Sequence, residues 1–168
     1  AMANVLLAEE GAPPLTLPEA RGFVGSGASI FVERMRRARG LPDAEHPRLL
    51  ARFLDLYEGA VAHSTLYPGV LDALALLAAR GHPLGVCTNK PQRPAEIVLA
   101  HFGLTDRFGA VIGGDSLPVR KPDPAPLRAA LTGLGAGDAA AIFVGDSEID
   151  AETAARAGVP FLLFTEGY

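Results

Sequence analysis

From Tyr67-Pro68-Gly69 onward the chain alternates helical patterns with short apolar runs, and this alternation restricts the fold more than any other feature. Helical spacing covers 69–80, with Val70, Leu71, Leu74 and Leu77 on one stripe; an apolar strand pattern then runs from His82 to Thr88. The same alternation gives a helix over 91–102, a strand over 109–113, a helix over 124–134 and a strand over 139–144. A helix over 148–157 and a strand over 160–164 complete it. Continuous apolar strands separated by helices predict a parallel sheet covered on both faces. Right-handed crossovers then make it an α/β, doubly wound, Rossmann-like fold. Residues 67–168 are the expected α/β core.

The first 64 residues have no strand pattern and predict a small helical cap over 1–64. Residues 1–10 have the character of the end of an amphipathic helix, stopped by Gly11, Pro13 and Pro14. Thr16 is placed to cap a short helix, with Pro18 in its first turn and Glu19 three residues on. Gly25-Ser26-Gly27 opens a helix over 28–39, where Arg34, Arg36, Arg37 and Arg39 predict a solvated face. A helix over 46–62 follows, with Leu49, Leu50, Phe53, Leu54 and Tyr57 on one stripe.

Composition excludes several function classes. The 168 residues are 49% hydrophobic, enough to bury a core, and a formal charge of −4 argues against a nucleic-acid partner. No apolar run is long enough to span a bilayer, and the N-terminus lacks the basic region of a signal peptide. The single cysteine, Cys87, permits no internal disulfide and fits a cytoplasmic setting. It sits inside a strand pattern, where a small buried hydrophobe is a better reading than a nucleophile. His46, His63, His82 and His101 show no paired ligand spacing. A monomer or a homodimer is expected.

Ligands in open parallel sheets bind beyond the carboxyl ends of the strands, so the residues closing each strand are the candidates. Thr88-Asn89-Lys90-Pro91 closes the first strand and starts a helix, whose free N–H groups favour an anion, with Thr88 and Asn89 as added donors. A plain capped turn accounts for it equally. Arg120-Lys121-Pro122-Asp123-Pro124 holds Lys121, a compact cation suited to phosphate, before a proline-fixed helix start; a solvated surface lysine is the plainer alternative. Gly145-Asp146-Ser147-Glu148-Ile149-Asp150 ends a strand with two carboxylates four residues apart, on one helix face, where oxygen ligands suit Mg²⁺. Helix capping by Asp146 or Ser147 explains the same residues.

Read together and in this order, Thr88, Lys121 in Lys-Pro-Asp-Pro, and Asp146 with Asp150 resemble the second, third and fourth motifs of the haloacid dehalogenase superfamily. Phe23 to Ala28 in the cap and the opening Leu-Leu-Ala-Glu-Glu-Gly resemble the phosphoglycolate phosphatases within it. The resemblance implies a Mg²⁺-dependent phosphatase that hydrolyses a small phosphorylated metabolite, 2-phosphoglycolate first among them, through an aspartyl-phosphate. It implies that Thr88 and Asn89 bind the phosphoryl oxygens and that Lys121 neutralises charge on phosphoryl group and nucleophile. By the same resemblance Asp146 is expected to ligate the metal directly, and Asp150 to position metal-bound water or hold Lys121. The resemblance further implies that Gly25, Ser26 and Gly27 contribute to substrate choice.

The resemblance also implies a nucleophile in an Asp-x-Asp-x-Thr strand, and no Asp-x-Asp occurs in these residues. That strand is expected upstream of Ala1, with further structure after Tyr168; the chain by itself is expected to be inactive. Two alternatives stay open. One is another reaction of the superfamily, on a phosphosugar, a phosphonate or a haloacid. The other is a catalytically dead paralogue with a binding role.

Overall fold

A computed structural model describes residues 2–136 and 141–167 and divides the chain into two compact units, residues 1–62 and 63–168. In the first unit the local signals form as written. Helix α1 (Met2–Glu9) stops before Gly11, and α2 (Leu17–Phe23) begins with a capping box. In that box Thr16 Oγ1 accepts from Glu19 N–H at 3.4 Å, while Thr16 N–H donates to Glu19 Oε2 at 2.7 Å. Helices α3 (Ala28–Ala38) and α4 (His46–Gly59) complete the unit. Leu6, Leu7, Val32, Met35 and Leu49 are fully buried, and the Phe53 ring stacks on Phe31 at 5.2 Å between centroids. Each such side chain stabilises the fold by about 1.5–3 kcal/mol, before the entropy of ordering it is subtracted.

The arginines of α3 correct the expectation of a solvated face. Arg37 is exposed and pairs with Glu33 one turn earlier. Arg36, by contrast, is only 4% exposed; it donates to Leu41 O at 2.7 Å and pairs with Asp43 at 2.5 Å. Arg39 forks onto Pro13 O, Pro14 O and Glu19. The charged pattern hid this because an arginine stem can lie in a core while its head reaches a distant carbonyl.

The second unit opens with α5 (Val70–Ala79) and alternates thereafter: β1 (Gly85–Cys87), α6 (Gln92–His101), β2 (Ala110–Ile112), α7 (Ala125–Gly133), β3 (Phe143–Gly145), α8 (Glu148–Ala157) and β4 (Phe161–Leu163). Each strand has three residues, shorter than its apolar run. Of the run over 139–144, residues 139 and 140 lie outside the described ones. The α/β class and parallel pairing hold, but as two ladders rather than one among the described residues. Gly85, Val86 and Cys87 pair with Ala110, Val111 and Ile112, and Phe143, Val144 and Gly145 pair with Phe161, Leu162 and Leu163.

Helix α7 packs on β1, β2 and α8, and α8 packs on β3 and β4, burying Leu127, Leu131, Ala157 and Val159 with Cys87 and Phe143 against them. The β1–β2 ladder has α7 packed on it, with Leu134 beside Gly85, and Ala95, Val98 and Leu99 of α6 lining a pocket with Val86; elsewhere among the described residues the expected cover on both faces is incomplete. Helix α5 has no buried residue, Leu71 and Leu77 are exposed, and Val144 and Leu162 are more than half exposed. Apolar periodicity states that a face is to be buried, not what will bury it. No described helix is long and apolar enough to cross a membrane.

Candidate active site

The end of β1, the first turn of α8 and a ring of β3 meet at one ammonium group. Lys121, 9% exposed, follows the β2 region in a loop where the Lys121–Pro122 peptide is cis. Its Nζ donates to Cys87 O at the end of β1, at 2.9 Å, and to Asp150 Oδ1 in the first turn of α8, at 2.6 Å. The ring of Phe143 in β3 lies 5.3 Å from the same nitrogen. An ammonium has three N–H donors, and these two contacts spend two of them on the protein. The lysine backbone is fixed as well, since buried Asn89 donates from Nδ2 to Lys121 O at 3.0 Å. Asn89 therefore grips the lysine loop.

Thr88 continues β1 by donating its N–H to Ile112 O at 3.0 Å, and its Oγ1 accepts from Lys90 N–H at 3.1 Å. This turn leaves the hydroxyl proton to donate elsewhere. The first N–H of α6, the anion site expected from the sequence, is already engaged: Gln92 N–H donates to Asp115 Oδ1 at 2.7 Å.

After β3 the chain turns into α8 through a second capping box. Ser147 is the N-cap, Asp150 N–H donates to its Oγ at 3.3 Å, and Ser147 Oγ–H donates to Asp150 Oδ2 at 2.6 Å. The N–H groups of Asp146 and Ser147 also reach Oδ2, each at 3.2 Å. The helix cap and the Lys121 ion pair thus share one residue. Burial alone would raise the Asp150 carboxyl, but the Lys121 hydrogen bond, the Ser147 hydroxyl, the Lys121 charge and the Asp146 N–H outweigh it and hold it below 3.8. Gly145 is required for steric reasons, because a Cβ there would lie 2.5 Å from Asp150 Cβ. The Asp146 side chain sits at the mouth of the turn with Gly167 packed against it so closely that a Cβ on Gly167 would overlap it. Burial pushes the Cys87 thiol up to about 11, which suits a packed strand residue and not a nucleophile.

Gly25, Ser26 and Gly27 lie in the first unit. Gly27 caps α3 with φ +90° and without a side-chain hydrogen bond. In the next turn Ser29 Oγ meets His46 Nε2 at 3.2 Å. The sequence reading missed Ser147 as the partner of Asp150 and missed the Gln92–Asp115 contact. Gly-Gly-Asp-Ser after β2 was the available signal for the latter.

A family model described as haloacid dehalogenase-like hydrolase matches residues 1–164. A phosphoglycolate phosphatase of Cereibacter sphaeroides is 49% identical over 171 aligned positions, covering 100% of this chain and 78% of the relative. One from Rhodobacter capsulatus is 46% identical, covering 99% and 76%. Among solved structures, a predicted phosphoglycolate phosphatase from Haemophilus somnus superposes with a TM-score of 0.91 at 30% identity, covering 99% of this chain and 77% of that one. Matches this long and this similar place the chain in the haloacid dehalogenase-like hydrolase family, as a member resembling phosphoglycolate phosphatases.

Proposed function

We propose that this chain carries the phosphoryl-binding part of a phosphoric monoester hydrolase whose substrate is a small phosphorylated metabolite, 2-phosphoglycolate first among them. The observation that carries this reading is Lys121: a buried ammonium at the end of β1, held by Cys87 O and Asp150. Phosphoryl transfer needs positioned positive charge more than covalent chemistry from the protein. The names and similarity of the bacterial relatives support the substrate.

In the reaction an aspartate oxygen attacks phosphorus, the P–O ester bond breaks, and the alcohol leaves with a proton from a general acid. Water then attacks the aspartyl-phosphate and releases inorganic phosphate and the free carboxylate. We place the attacking aspartate on a strand preceding Ala1 in the full protein. Two features support this: no Asp-x-Asp occurs in the chain, and among the described residues β1 and β3 both lie against the Lys121 side chain with no backbone ladder between them. Thr88 O–H and the remaining Lys121 N–H hold phosphoryl oxygens, while Asn89 keeps the lysine loop in place.

The donor set fits Mg²⁺, which keeps several waters and takes one or two carboxylates. Asp146 is the residue to hold it; both Asp150 oxygens are occupied by protein donors, so Asp150 serves Lys121 and the backbone of Asp146 instead. When bound, the ion supplies further positive charge to the phosphoryl oxygens. The lone free thiol of Cys87 fits a reducing cytoplasm.

The test is phosphate release from 2-phosphoglycolate by the full-length protein, with and without Mg²⁺. Lys121→Ala and Asp146→Asn should each lower turnover by at least roughly 10²-fold, the scale of losing a positioned charge. Full activity in both variants would overturn the reading.

A further inference from the structure

The turn that carries Thr88 is clamped by a hydrogen-bond network outside the motif residues. Helix α6 starts after Pro91, whose side chain offers no capping oxygen, and its own N-cap makes no side-chain bond. Its first N–H groups are therefore orphans needing an acceptor from elsewhere. That acceptor is Asp115, 23 residues later in the loop after β2, at 2.7 Å from Gln92 N. A carboxylate at this position also suits the positive end of the helix.

The Gln92 side chain then ties the two loops together. Its Oε1 accepts from Gly113 N–H at 2.7 Å and from Ser116 O–H at 2.6 Å, and its Nε2 donates to Val111 O at 3.1 Å and to Glu96 at 2.7 Å. Gly114 N–H donates to Lys90 O at 2.8 Å. The backbones approach so closely that a Cβ on Gly113 would overlap Gln92, and one on Gly114 would overlap Asn89. Residues 88–92 thus cannot shift without breaking bonds to 113–116. Within that turn Thr88 offers its hydroxyl, and Asn89 grips the carbonyl of Lys121.

We propose that Asp115 is a positioning residue for phosphoryl transfer, acting with Gln92 and Ser116 through the Thr88–Pro91 turn; this rests on the phosphatase reading above. The physical reason is geometric. Misplacing a group by about 1 Å can lower a rate by about 10²-fold without changing which groups bind the substrate.

The experiment uses full-length enzyme well below its melting temperature. Asp115→Ala should lower kcat by about tenfold or more with KM within about twofold. Asp115→Asn retains an acceptor for Gln92 N–H and should restore kcat to within about threefold of wild type. Ser116→Ala, which removes one bond to Gln92, should shift kcat in the same direction by less and serves if Asp115→Ala does not fold. Wild-type kcat in Asp115→Ala (in Ser116→Ala, if that variant stands in), a raised KM at unchanged kcat, or no rescue by asparagine would overturn the proposal.

Amide hydrogen exchange over residues 88–92 without substrate separates the two readings. Faster exchange in the alanine variant supports the clamp even if wild-type enzyme releases no phosphate, in which case the phosphatase reading fails and the catalytic role of Asp115 fails with it. Unchanged exchange sinks the clamp itself, whatever the enzyme hydrolyses.

Discussion

Both oxygens of Asp150 are spent within the protein, Oδ1 on Lys121 and Oδ2 on the start of α8, and the residue is 6% exposed. A buried pair of this kind is weak evidence for net stability, yet removing one partner is costly because the other charge is left uncompensated. Asp150→Asn should therefore lower unfolding free energy by about 3–5 kcal/mol near neutral pH. The pH dependence has a definite sign. The folded carboxyl is held below its ordinary 3.8, so its contribution is complete above that value and is lost as pH falls through 3.8 toward the folded value. Denaturant titrations of wild type and variant should give a constant gap above about pH 5 that narrows in more acid solution. A gap that widened on acidification would show that the Asp150 carboxylate is not the stabilised form. At this scale the sequence named Asp150, Asp146, Thr88 and Lys121, because strand ends in an alternating pattern are readable. It did not assign the donor of Asn89, which goes to a carbonyl 32 residues away. An amide that looks free in sequence is committed by a loop whose path no local spacing describes.

Helices α2 and α8 start with the same device, a hydroxyl at the N-cap and a carboxylate three residues on. The first was legible as a box; the second was read only as a cap by Asp146 or Ser147, without its Asp150 partner. The strands were less so: each apolar run contracts to three paired residues, because a ladder requires a partner from elsewhere in the chain. The cap of α6 was invisible for the same reason, being supplied by Asp115 from another loop. The two capping boxes also differ in what they touch. Glu19 of the first is held at about 2 by the hydrogen bond from Arg39 and those from Thr16, a surface arrangement within the helical unit. The second ends on Asp150, and through it on Lys121. Thr16→Ala and Ser147→Ala should each cost about 1 kcal/mol of stability, the usual value of a lost N-cap. Only Ser147→Ala should also slow turnover, because it removes a donor from the carboxylate that holds the lysine. Equal turnover in both variants, measured under conditions where both are fully folded, would show that capping and catalysis are separate at α8.

At the scale of the whole molecule the chain holds two separate cores. In residues 1–62, Leu6, Leu7, Val32, Met35 and Leu49 are fully buried around the Phe31–Phe53 stack. In residues 63–168, Leu127, Leu131, Ala157 and Val159 form a cluster of their own. The change from helical to alternating pattern at Tyr67-Pro68-Gly69 announced two kinds of packing, and the arginines of α3 show why the detail within each was harder to read. No buried residue of one cluster belongs to the other. Truncations in the two cores should therefore act independently, since substitutions without shared partners add to within about 0.3–0.5 kcal/mol. Leu49→Ala and Leu127→Ala should each cost about 2–5 kcal/mol, from lost burial plus the cavity left behind. The double variant should lose the sum, provided each single variant still folds. Leu49→Val and Leu127→Val, milder changes, provide the same cycle if the alanine pair does not. A shortfall or excess of more than about 1 kcal/mol in denaturant unfolding would mean that the two clusters share energy through a route the buried contacts do not contain. Additivity would instead show that each core stabilises its own unit, residues 1–62 or residues 63–168.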